Sequence, residues 1–223
     1  MSKEIIKFLK TRDVKSPSRN NQYDAGIDFY VPKFTKEFIE VLKNKNESIF
    51  KIESNCFGSI GSSTSCSNTL TLHGCSNSII SYNLSDENKT LFKFDEVEGK
   101  LYFILSPHSR VLIPSGIHSR MASTGRCLIA FNKSGVASKL GLTVGACIID
   151  ATYTGEIHIN IINTSTSNVR IYEDMKLIQF IETPVITNPI EIEEDNTKEG
   201  YTSFYEGMIK DRESKGFGSS DKK

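Results

Sequence analysis

An aspartate at the end of an apolar run is the residue of this sequence best suited to act as a general base. Asp150 follows the apolar residues 146–149 and precedes a polar turn that contains Tyr153. A carboxylate at the end of a strand can take a proton from a water molecule. The alternative is an aspartate that only begins the turn, and from these residues alone that alternative is favoured.

A second group of residues has the chemistry of a phosphate-binding site. Lys133, Ser134 and Gly135 stand between a strand-like segment and a short helical segment, and they offer a cation, a hydroxyl and backbone N–H groups. Such groups at the first turn of a helix attract phosphate, because the helix dipole is positive there. Alone the pattern is weak, since Ser-Gly before a helix is commonly only a cap.

A third pattern lies in a polar, glycine-rich segment near the end of the sequence. Arg212 offers a guanidinium that suits phosphate, and Phe217 stands among small and polar residues. An aromatic ring with no apolar neighbours is suited to stacking on a nucleobase. The segment continues with Gly218, Ser219 and Ser220. The alternative is a disordered tail with an incidental phenylalanine.

Thiols in the middle of the chain raise the question of a metal site. Cys56, Cys66, Cys75 and His73 could supply four zinc ligands, but they include no Cys-x-x-Cys pair. The five cysteines of the chain are odd in number and widely spaced, which makes a poor disulfide framework. We therefore expect scattered thiols in a polar loop, with a metal site as the less favoured alternative.

Composition and charge are those of an ordinary soluble globular protein. The 223 residues include 27 basic and 27 acidic side chains, and 38% are hydrophobic. Zero net charge removes bulk attraction to nucleic acid or to an anionic membrane, so an anionic ligand needs a local site. No apolar run approaches the ~20 residues of a membrane helix, and the first residues lack a signal-peptide core. We expect an intracellular, cytoplasmic protein, or one of the nucleus or host cell if it is viral.

The elements that must position these residues are short β-strands separated by turns. Residues 156–162 alternate strictly between apolar and polar side chains, which predicts a half-buried strand. The overall spacing predicts an all-β sandwich or barrel. The other predicted strands are residues 3–9, 26–31, 101–105, 110–114, 126–131, 142–149, 168–172 and 176–181, and residues 135–140 predict one or two helical turns.

Residues 34–100 predict a β/loop insertion between two strands of the main fold. Thr35 can cap a short helix that has Phe38, Ile39 and Leu42 on one side. Residues 54–68, rich in Ser, Gly and Asn, predict a mobile loop, and 47–52, 69–73, 77–83 and 90–95 are strand-like. We expect one domain over residues 1–223, an insertion that is dispensable for folding, and a flexible arm at about 210–223.

Taken in order, five patterns resemble the motifs of the trimeric dUTP pyrophosphatase (dUTPase) family. They are Ala25-Gly26-Ile27-Asp28, Lys133-Ser134-Gly135-Val136-Ala137, the stretch 149–156, Met175-Lys176-Leu177-Ile178-Gln179-Phe180, and the stretch 212–220. The resemblance covers about residues 3–33, 101–190 and 210–221. It implies a distorted jelly-roll β-barrel.

The resemblance also implies hydrolysis of dUTP to dUMP and pyrophosphate by a homotrimer with shared active sites. Asp150 would activate water for attack on the α-phosphorus, and Tyr153 would pack under the deoxyribose. Mg²⁺ would be held mainly by the triphosphate, with Asp28 contacting it through water. The other residues that the resemblance assigns to the substrate are Lys133, Ser134, Gly135, Gly145, Ile149, Gln179, Arg212, Phe217, Gly218, Ser219 and Ser220.

Lys133 and Thr154 stand where the family usually has arginines, and Cys147 and Ile148 replace a usual glycine before Ile149 and Asp150. These departures affect affinity and pocket detail.

Two alternatives to a dUTPase remain open. The nearest alternative is a dCTP deaminase-like or bifunctional enzyme, but Asn160 occupies the position of the deaminase glutamate and disfavours that reaction. The other alternative is a non-catalytic binding module whose 34–100 insertion contacts an unknown partner.

Overall fold

The computed structural model describes residues 5–50, 91–194, 197, 199 and 204–206, with only the backbone described at positions 48 and 49. The chain divides into two compact units, Met1–Ile186 and Thr187–Lys223. In the second unit, residues 187–194 have no regular secondary structure, and the ring of Phe204 contacts that of Tyr205 edge-on, with 4.9 Å between centroids. The predicted strands and site residues that the structure describes belong to the first unit.

The described part of the chain contains eleven strands and three helices. The strands are β1 (Lys7–Lys10), β2 (Ile27–Tyr30), β3 (Phe92–Asp95), β4 (Lys100–Leu105), β5 (Arg110–Arg120), β6 (Arg126–Asn132), β7 (Leu142–Val144), β8 (Ile148–Asp150), β9 (Ile157–Asn163), β10 (Val169–Tyr172) and β11 (Lys176–Pro184). The helices are α1 (Lys36–Lys45), α2 (Glu47–Phe50) and α3 (Ser134–Leu140). Neither these nor any other helix in the described ranges is long and apolar enough to cross a membrane.

Backbone hydrogen bonds arrange the strands in three sheets, in the orders β1-β5-β9-β7, β10-β4-β3 and β2-β11-β6-β8. Every strand pair is antiparallel. The predicted all-β architecture is confirmed, although the described strands do not close into one continuous barrel. In β9, the predicted alternation is confirmed as well, because Ile157, Ile159 and Ile161 are buried in the core.

The predicted strand 142–149 is two strands in the structure, and the break between them positions Asp150. β7 pairs with β9, whereas β8 pairs with β6 in a different sheet. Gly145 donates its N–H to the Asn160 carbonyl (3.0 Å), and Ala130 donates to the Cys147 carbonyl (2.7 Å). These hydrogen bonds hold the segment in which the chain crosses from one sheet to the other. Asp150 is the last residue of β8, which lies beside the cavity described below.

The first part of the predicted insertion is a helix that packs in the core. Thr35 caps α1 as predicted, because its side chain accepts a hydrogen bond from the Phe38 N–H (3.2 Å). The side chains predicted to share one face are Phe38, Ile39 and Leu42, and all three are buried. The helix therefore contributes to the core of the first unit.

Both described ends of the predicted 34–100 insertion belong to the core of the first unit. Residues 47–50 form helix α2 rather than a strand, and β3 pairs with β4 along its length. Five aromatic rings with centroids 5.5–6.0 Å apart join these ends to the main sheets: Phe34, Phe38, Phe50, Phe92 and Phe103. Rings of this size dominate the burial that holds a small domain together. The loop 54–68, and Cys56, Cys66, Cys75 and His73, lie outside the described residues.

Candidate active site

The end of β8 and the turn after it line a cavity of about 240 Å³ that contains the predicted base. Asp150, Tyr153 and Ile149 line it from this side, and His158 and Asn160 line it from β9. Pockets for drug-sized ligands have roughly 300–1,000 Å³. The cavity therefore suits part of a nucleotide, such as a base with its sugar, rather than a whole nucleoside triphosphate.

Tyr153 is held over the turn by its own hydroxyl and by the lack of a side chain at Gly155. The hydroxyl donates a hydrogen bond to the Glu156 carbonyl (3.0 Å), and the Tyr153 N–H donates to the Asp150 carbonyl (3.1 Å). A Cβ at position 155 would overlap the hydroxyl and lie 2.5 Å from the ring carbon Cζ. The glycine thus lets the ring pack against the backbone while 43% of the residue stays exposed.

The Glu156 side chain anchors this turn to two distant segments. Its carboxylate accepts two hydrogen bonds from the Arg12 guanidinium (2.9 and 3.1 Å) and one from the Gly116 N–H (2.6 Å). Burial acts to raise the pKa of Glu156, but the Arg12 and Gly116 hydrogen bonds and the Arg12 charge outweigh it and hold the pKa below its ordinary value. Glu156 is therefore a charged anchor for the turn that carries Tyr153.

Asp28 belongs to a second group of predicted site residues. It lies on β2, the edge strand of the β2-β11-β6-β8 sheet. It is 4% exposed, and its two carboxylate oxygens form separate ion pairs, one with Lys133 and one with Lys176 (2.9 Å). Burial acts to raise the pKa of Asp28, but the two lysines outweigh it and hold the pKa below its ordinary value of 3.8. Lys133, predicted to bind phosphate, is thus paired with a carboxylate here.

Gln179 and the start of α3 complete this second group. Gln179 is the register partner of Asp28 across the sheet, and its amide donates to the Asn132 carbonyl (3.0 Å). Gly26 leaves space for that amide, since a Cβ there would overlap Gln179 Oε1. Ser134 and Gly135 are exposed at the first turn of α3, and the Lys133 side chain makes no capping hydrogen bond.

The structure brings the predicted site residues together in two groups rather than one. Asp150, Tyr153 and Ile149 share the cavity, with Gly145 held against β9 beside it by its bond to Asn160. The four predicted phosphate-binding residues of the second group do not line that cavity: Lys133, Ser134, Gly135 and Gln179. Arg212, Phe217, Gly218, Ser219 and Ser220 lie outside the described residues. Within one chain, the cavity residues and the predicted phosphate-binding residues therefore lie in two separate places.

The described side chains do not fit a magnesium ion held by the protein itself. No group of three or more His, Cys, Asp and Glu residues in the described ranges could hold a metal ion. Asp28, the one predicted metal contact, has both oxygens engaged by lysines. A dedicated Mg²⁺ site needs free oxygen ligands in octahedral geometry, and these residues do not offer one.

Three residues around the cavity were not among the predicted site residues. Arg12 pairs with Glu156 across 144 positions of sequence, so no local pattern connects them. His158 lines the cavity, although the sequence pattern places it only on the polar face of a strand. The signal available for Glu156 and His158 was the alternation of residues 156–162, which places positions 156, 158 and 160 on the side opposite the buried isoleucines.

The described fold is that of an antiparallel β protein in which the cavity lined by Asp150 and Tyr153 lies apart from the charged group around Asp28. The family model described as dUTPase matches residues 97–220, which is more than half of the chain. The chain therefore belongs to the dUTPase family.

Curated relatives carry the same family name. The deoxyuridine 5'-triphosphate nucleotidohydrolase of Bartonella quintana is 34% identical over 52% of this chain and 63% of its own length. That of Clostridium novyi is 32% identical over 53% of this chain and 82% of its own length. The chain spans about three fifths of the length of the first relatives it matches, including the Candida albicans protein at 60%.

Solved structures show the same fold at low sequence identity. The dUTPase of Staphylococcus bacteriophage 80alpha, a mutant with dUpNHpp, has a TM-score of 0.53 and 16% identity, with 99% of both chains covered. A mutant dUTPase from phage phi11 of S. aureus, described with a coordinated structural Mg(II) ion, has a TM-score of 0.51 and 16% identity, covering 86% of this chain and 99% of its own. These likenesses confirm the predicted dUTPase-like jelly-roll fold.

Proposed function

We propose that this protein hydrolyses dUTP to dUMP and pyrophosphate. The observation that carries the proposal is the placement of Asp150 and Tyr153 in one nucleoside-sized cavity of a dUTPase-family chain. Asp150 is exposed, so a water molecule can reach its carboxylate. The homologues named deoxyuridine 5'-triphosphate nucleotidohydrolase support dUTP as the substrate.

In the proposed reaction, Asp150 is the general base. Its carboxylate takes a proton from a water molecule while the water oxygen forms a bond to the α-phosphorus. The bond between the α-phosphorus and the bridging oxygen breaks, and pyrophosphate leaves. A positioned base of this kind contributes roughly 10²- to 10⁴-fold to the rate.

Tyr153 and Asn160 account for the proposed specificity. The Tyr153 ring, held against Gly155, would pack under the deoxyribose and leave no space for a 2′-hydroxyl. Ile149 and Gly145 would place backbone groups at the uracil edge. Asn160 lines the cavity where a deaminase would carry a glutamate. Because an amide cannot relay a proton, the site favours hydrolysis over deamination.

We propose that the two groups of site residues meet between chains of a homotrimer. Lys133, Ser134, Gly135 and Gln179 of one chain would hold the phosphates of a nucleotide whose base lies in the cavity of a neighbour. The third chain would supply the C-terminal residues Arg212, Phe217, Gly218, Ser219 and Ser220. The separation of the two groups within one chain supports this arrangement, and closed rings of this kind are a common oligomer symmetry.

Mg²⁺ belongs to this proposal as an ion bound to the triphosphate. When bound, it neutralises phosphate charge. In its proposed indirect role, Asp28 would accept a hydrogen bond from a magnesium-bound water while its two oxygens stay paired with Lys133 and Lys176, because each carboxylate oxygen can accept more than one hydrogen bond. The acid–base step remains that of Asp150.

Replacing Asp150 with asparagine tests the proposal, because it removes the base and keeps the shape. Asp150→Asn is expected to bind dUpNHpp within a few-fold of the unchanged protein, while pyrophosphate release from dUTP with Mg²⁺ falls about 10²-fold or more. Asp13→Asn, at an exposed aspartate that does not line the cavity, is the matched control. Near-normal turnover of Asp150→Asn would remove Asp150 from the mechanism.

A further inference from the structure

The carbonyl oxygen of Glu156 accepts two side-chain hydrogen bonds at the edge of the cavity. One comes from the Tyr153 hydroxyl (3.0 Å), and the other joins it to Nδ1 of His158 (2.9 Å). Tyr153 and His158 both line the cavity. They are thus linked through a single backbone oxygen.

The hydrogen bond determines which nitrogen of His158 carries the proton. A carbonyl oxygen can only accept, so Nδ1 must be the donor. The other nitrogen, Nε2, is buried and has no hydrogen-bond partner among the described residues. Burial has the largest effect on the pKa of His158 and lowers it. The hydrogen bond to Glu156 and the Glu156 charge act to raise the pKa, and the smaller effects of the Lys45 and Arg12 charges lower it, so the pKa lies below its ordinary value. The ring is therefore neutral at pH 7 with its proton on Nδ1.

The oxygen that both side chains contact belongs to a residue that cannot move freely. The Glu156 carboxylate is held by Arg12 and by the Gly116 N–H. With the side chain fixed, the remaining freedom is rotation of the peptide that carries the carbonyl. His158 restrains that rotation, because it lies on β9 and is itself held in the sheet opposite Pro114 of β5.

We propose that His158 is a positioning residue for Tyr153, acting through the Glu156 carbonyl so that the tyrosine ring keeps the orientation that accepts a deoxyribose. The inference deepens the proposed function and rests on it for the identity of the ligand. Loss of the His158 donor frees the carbonyl, and the Tyr153 hydroxyl loses a fixed acceptor. Since a sugar platform contacts the ground state and the transition state alike, the effect falls on KM rather than on kcat.

Substitutions at position 158 separate this role from simple packing. His158→Leu removes the donor and is expected to raise the KM for dUTP about fivefold with kcat within about twofold, the scale of one hydrogen bond. His158→Asn, whose amide nitrogen can occupy the Nδ1 position, restores KM to within about twofold of the unchanged protein. His158→Gln is polar but places its amide near Nε2, so it behaves like His158→Leu and serves if the leucine variant does not fold.

A double-mutant cycle tests the link to Tyr153 directly. Tyr153→Phe alone is expected to raise KM about as much as His158→Leu, and the double variant is expected to be no worse than either, because both changes break one shared arrangement. Additive effects would overturn the proposal. So would a KM for His158→Asn as high as that for His158→Leu.

A measurement without substrate keeps this inference distinct from the proposed function. The ¹⁵N NMR signals of His158 in the ligand-free protein are expected to show the Nδ1–H tautomer, and an Nε2–H tautomer would overturn the proposal. If dUTP is not hydrolysed at all, the proposed function fails. In that case the tautomer of His158 still tests the inference. The double-mutant cycle of His158→Leu and Tyr153→Phe, with the melting temperature measured in place of KM, then decides whether the two residues are coupled through Glu156.

Discussion

The space above Gly155 is filled by the ring of Tyr153, and this contact defines one wall of the cavity. The ring lies so close that a Cβ at position 155 would be 2.5 Å from its Cζ atom. Such a distance requires the ring to move. The orientation of Tyr153 therefore depends on the absence of a side chain two positions later.

The variant Gly155→Ala is expected to fold and to bind the nucleotide more weakly. The added methyl group displaces Tyr153, so the KM for dUTP rises roughly tenfold while the melting temperature changes by a few degrees at most, a loss of uniform binding. Gly125→Ala is the matched control, because its Cβ would meet its nearest neighbour at 3.9 Å. Equal KM values for the two variants would show that Tyr153 does not contact the nucleotide.

The ion pair of Glu156 with Arg12 makes stability depend on pH. Because the pKa of Glu156 is lower in the folded state than its ordinary value of 4.5, this contribution to the free energy of unfolding is full above pH 4.5. It is lost as the pH falls through the folded-state pKa. Both side chains are largely buried, with 22% and 17% exposure, so solvent screening is limited.

The variant Glu156→Gln is expected to be less stable near pH 7 by about 1.5–3 kcal/mol, the range for hydrogen bonds to a charged group. The difference from the unchanged protein should shrink as the pH is lowered below 4.5, because the unchanged glutamate then becomes neutral too. Urea unfolding at a series of pH values measures this difference. A gap that stays constant down to the lowest pH would mean that the Glu156 charge contributes nothing.

At the residue scale, the sequence predicted which residues meet at the cavity better than it predicted the contacts that support them. Asp150 and Tyr153 are three positions apart, and a turn after a strand brings both to the cavity, although the local pattern alone favoured an aspartate that only begins the turn. The pairing of Arg12 with Glu156 joins residues 144 positions apart, and nothing in either neighbourhood indicates the other. The ion pair between Lys133 and Asp28 was missed for the same reason.

At the scale of elements, helix α1 is bound to the sheet by polar contacts as well as by its apolar face. Asn46, just beyond the helix, accepts a hydrogen bond from the Leu112 N–H (2.7 Å) and donates to the Leu112 carbonyl (2.9 Å). It also donates to the Leu42 carbonyl (2.7 Å). Asn46 thus pairs with β5 as a short strand would, and it satisfies buried backbone groups.

The variant Leu42→Ala is expected to lower the free energy of unfolding by about 2–5 kcal/mol, since a fully buried leucine leaves a cavity when it is truncated. Glu40→Ala, at an exposed position of the same helix, is the control and should change it by less than about 0.5 kcal/mol. Chemical denaturation measures both. Equal, small effects would mean that α1 contributes little to the core, in line with the expectation that the 34–100 insertion is dispensable for folding.

Most elements could be predicted from the sequence because an antiparallel sheet with one buried face produces alternation along each strand. The prediction of strand boundaries was weakest where a strand does not show this alternation. In the stretch 142–149 the chain crosses between two sheets, and a continuous apolar run does not show where it turns. The amphipathic pattern predicted α1 correctly, but it does not tell which surface the apolar face covers.

At the scale of the whole molecule, the account requires chains to share their sites. The cavity residues and the residues around Asp28 lie in separate places on one chain. No pattern in the sequence reports this separation, because it depends on how the sheets are arranged. The family resemblance alone indicated a trimer.

Co-expression of two inactive variants tests site sharing. One is Asp150→Asn, and the other is a chain that ends at Asp211 and lacks Arg212 and Phe217. In a randomly mixed trimer, a site that takes its base and its C-terminal residues from different chains is complete in about a quarter of cases. Pyrophosphate release should therefore recover to about a quarter of the activity of the unchanged protein. Recovery no greater than the sum of the two parents would show that each chain uses its own residues.

The central claim, a dUTP-specific pyrophosphatase built around Asp150, is tested most directly by one nucleotide panel. The unchanged protein is incubated with Mg²⁺ and dUTP, UTP, dTTP or dCTP, and pyrophosphate and ammonia are both measured. The account predicts pyrophosphate from dUTP, with kcat/KM roughly 10²-fold or more above that for each other nucleotide, and no ammonia from dCTP. Ammonia from dCTP, equal turnover of all four nucleotides, or no pyrophosphate from dUTP would contradict it.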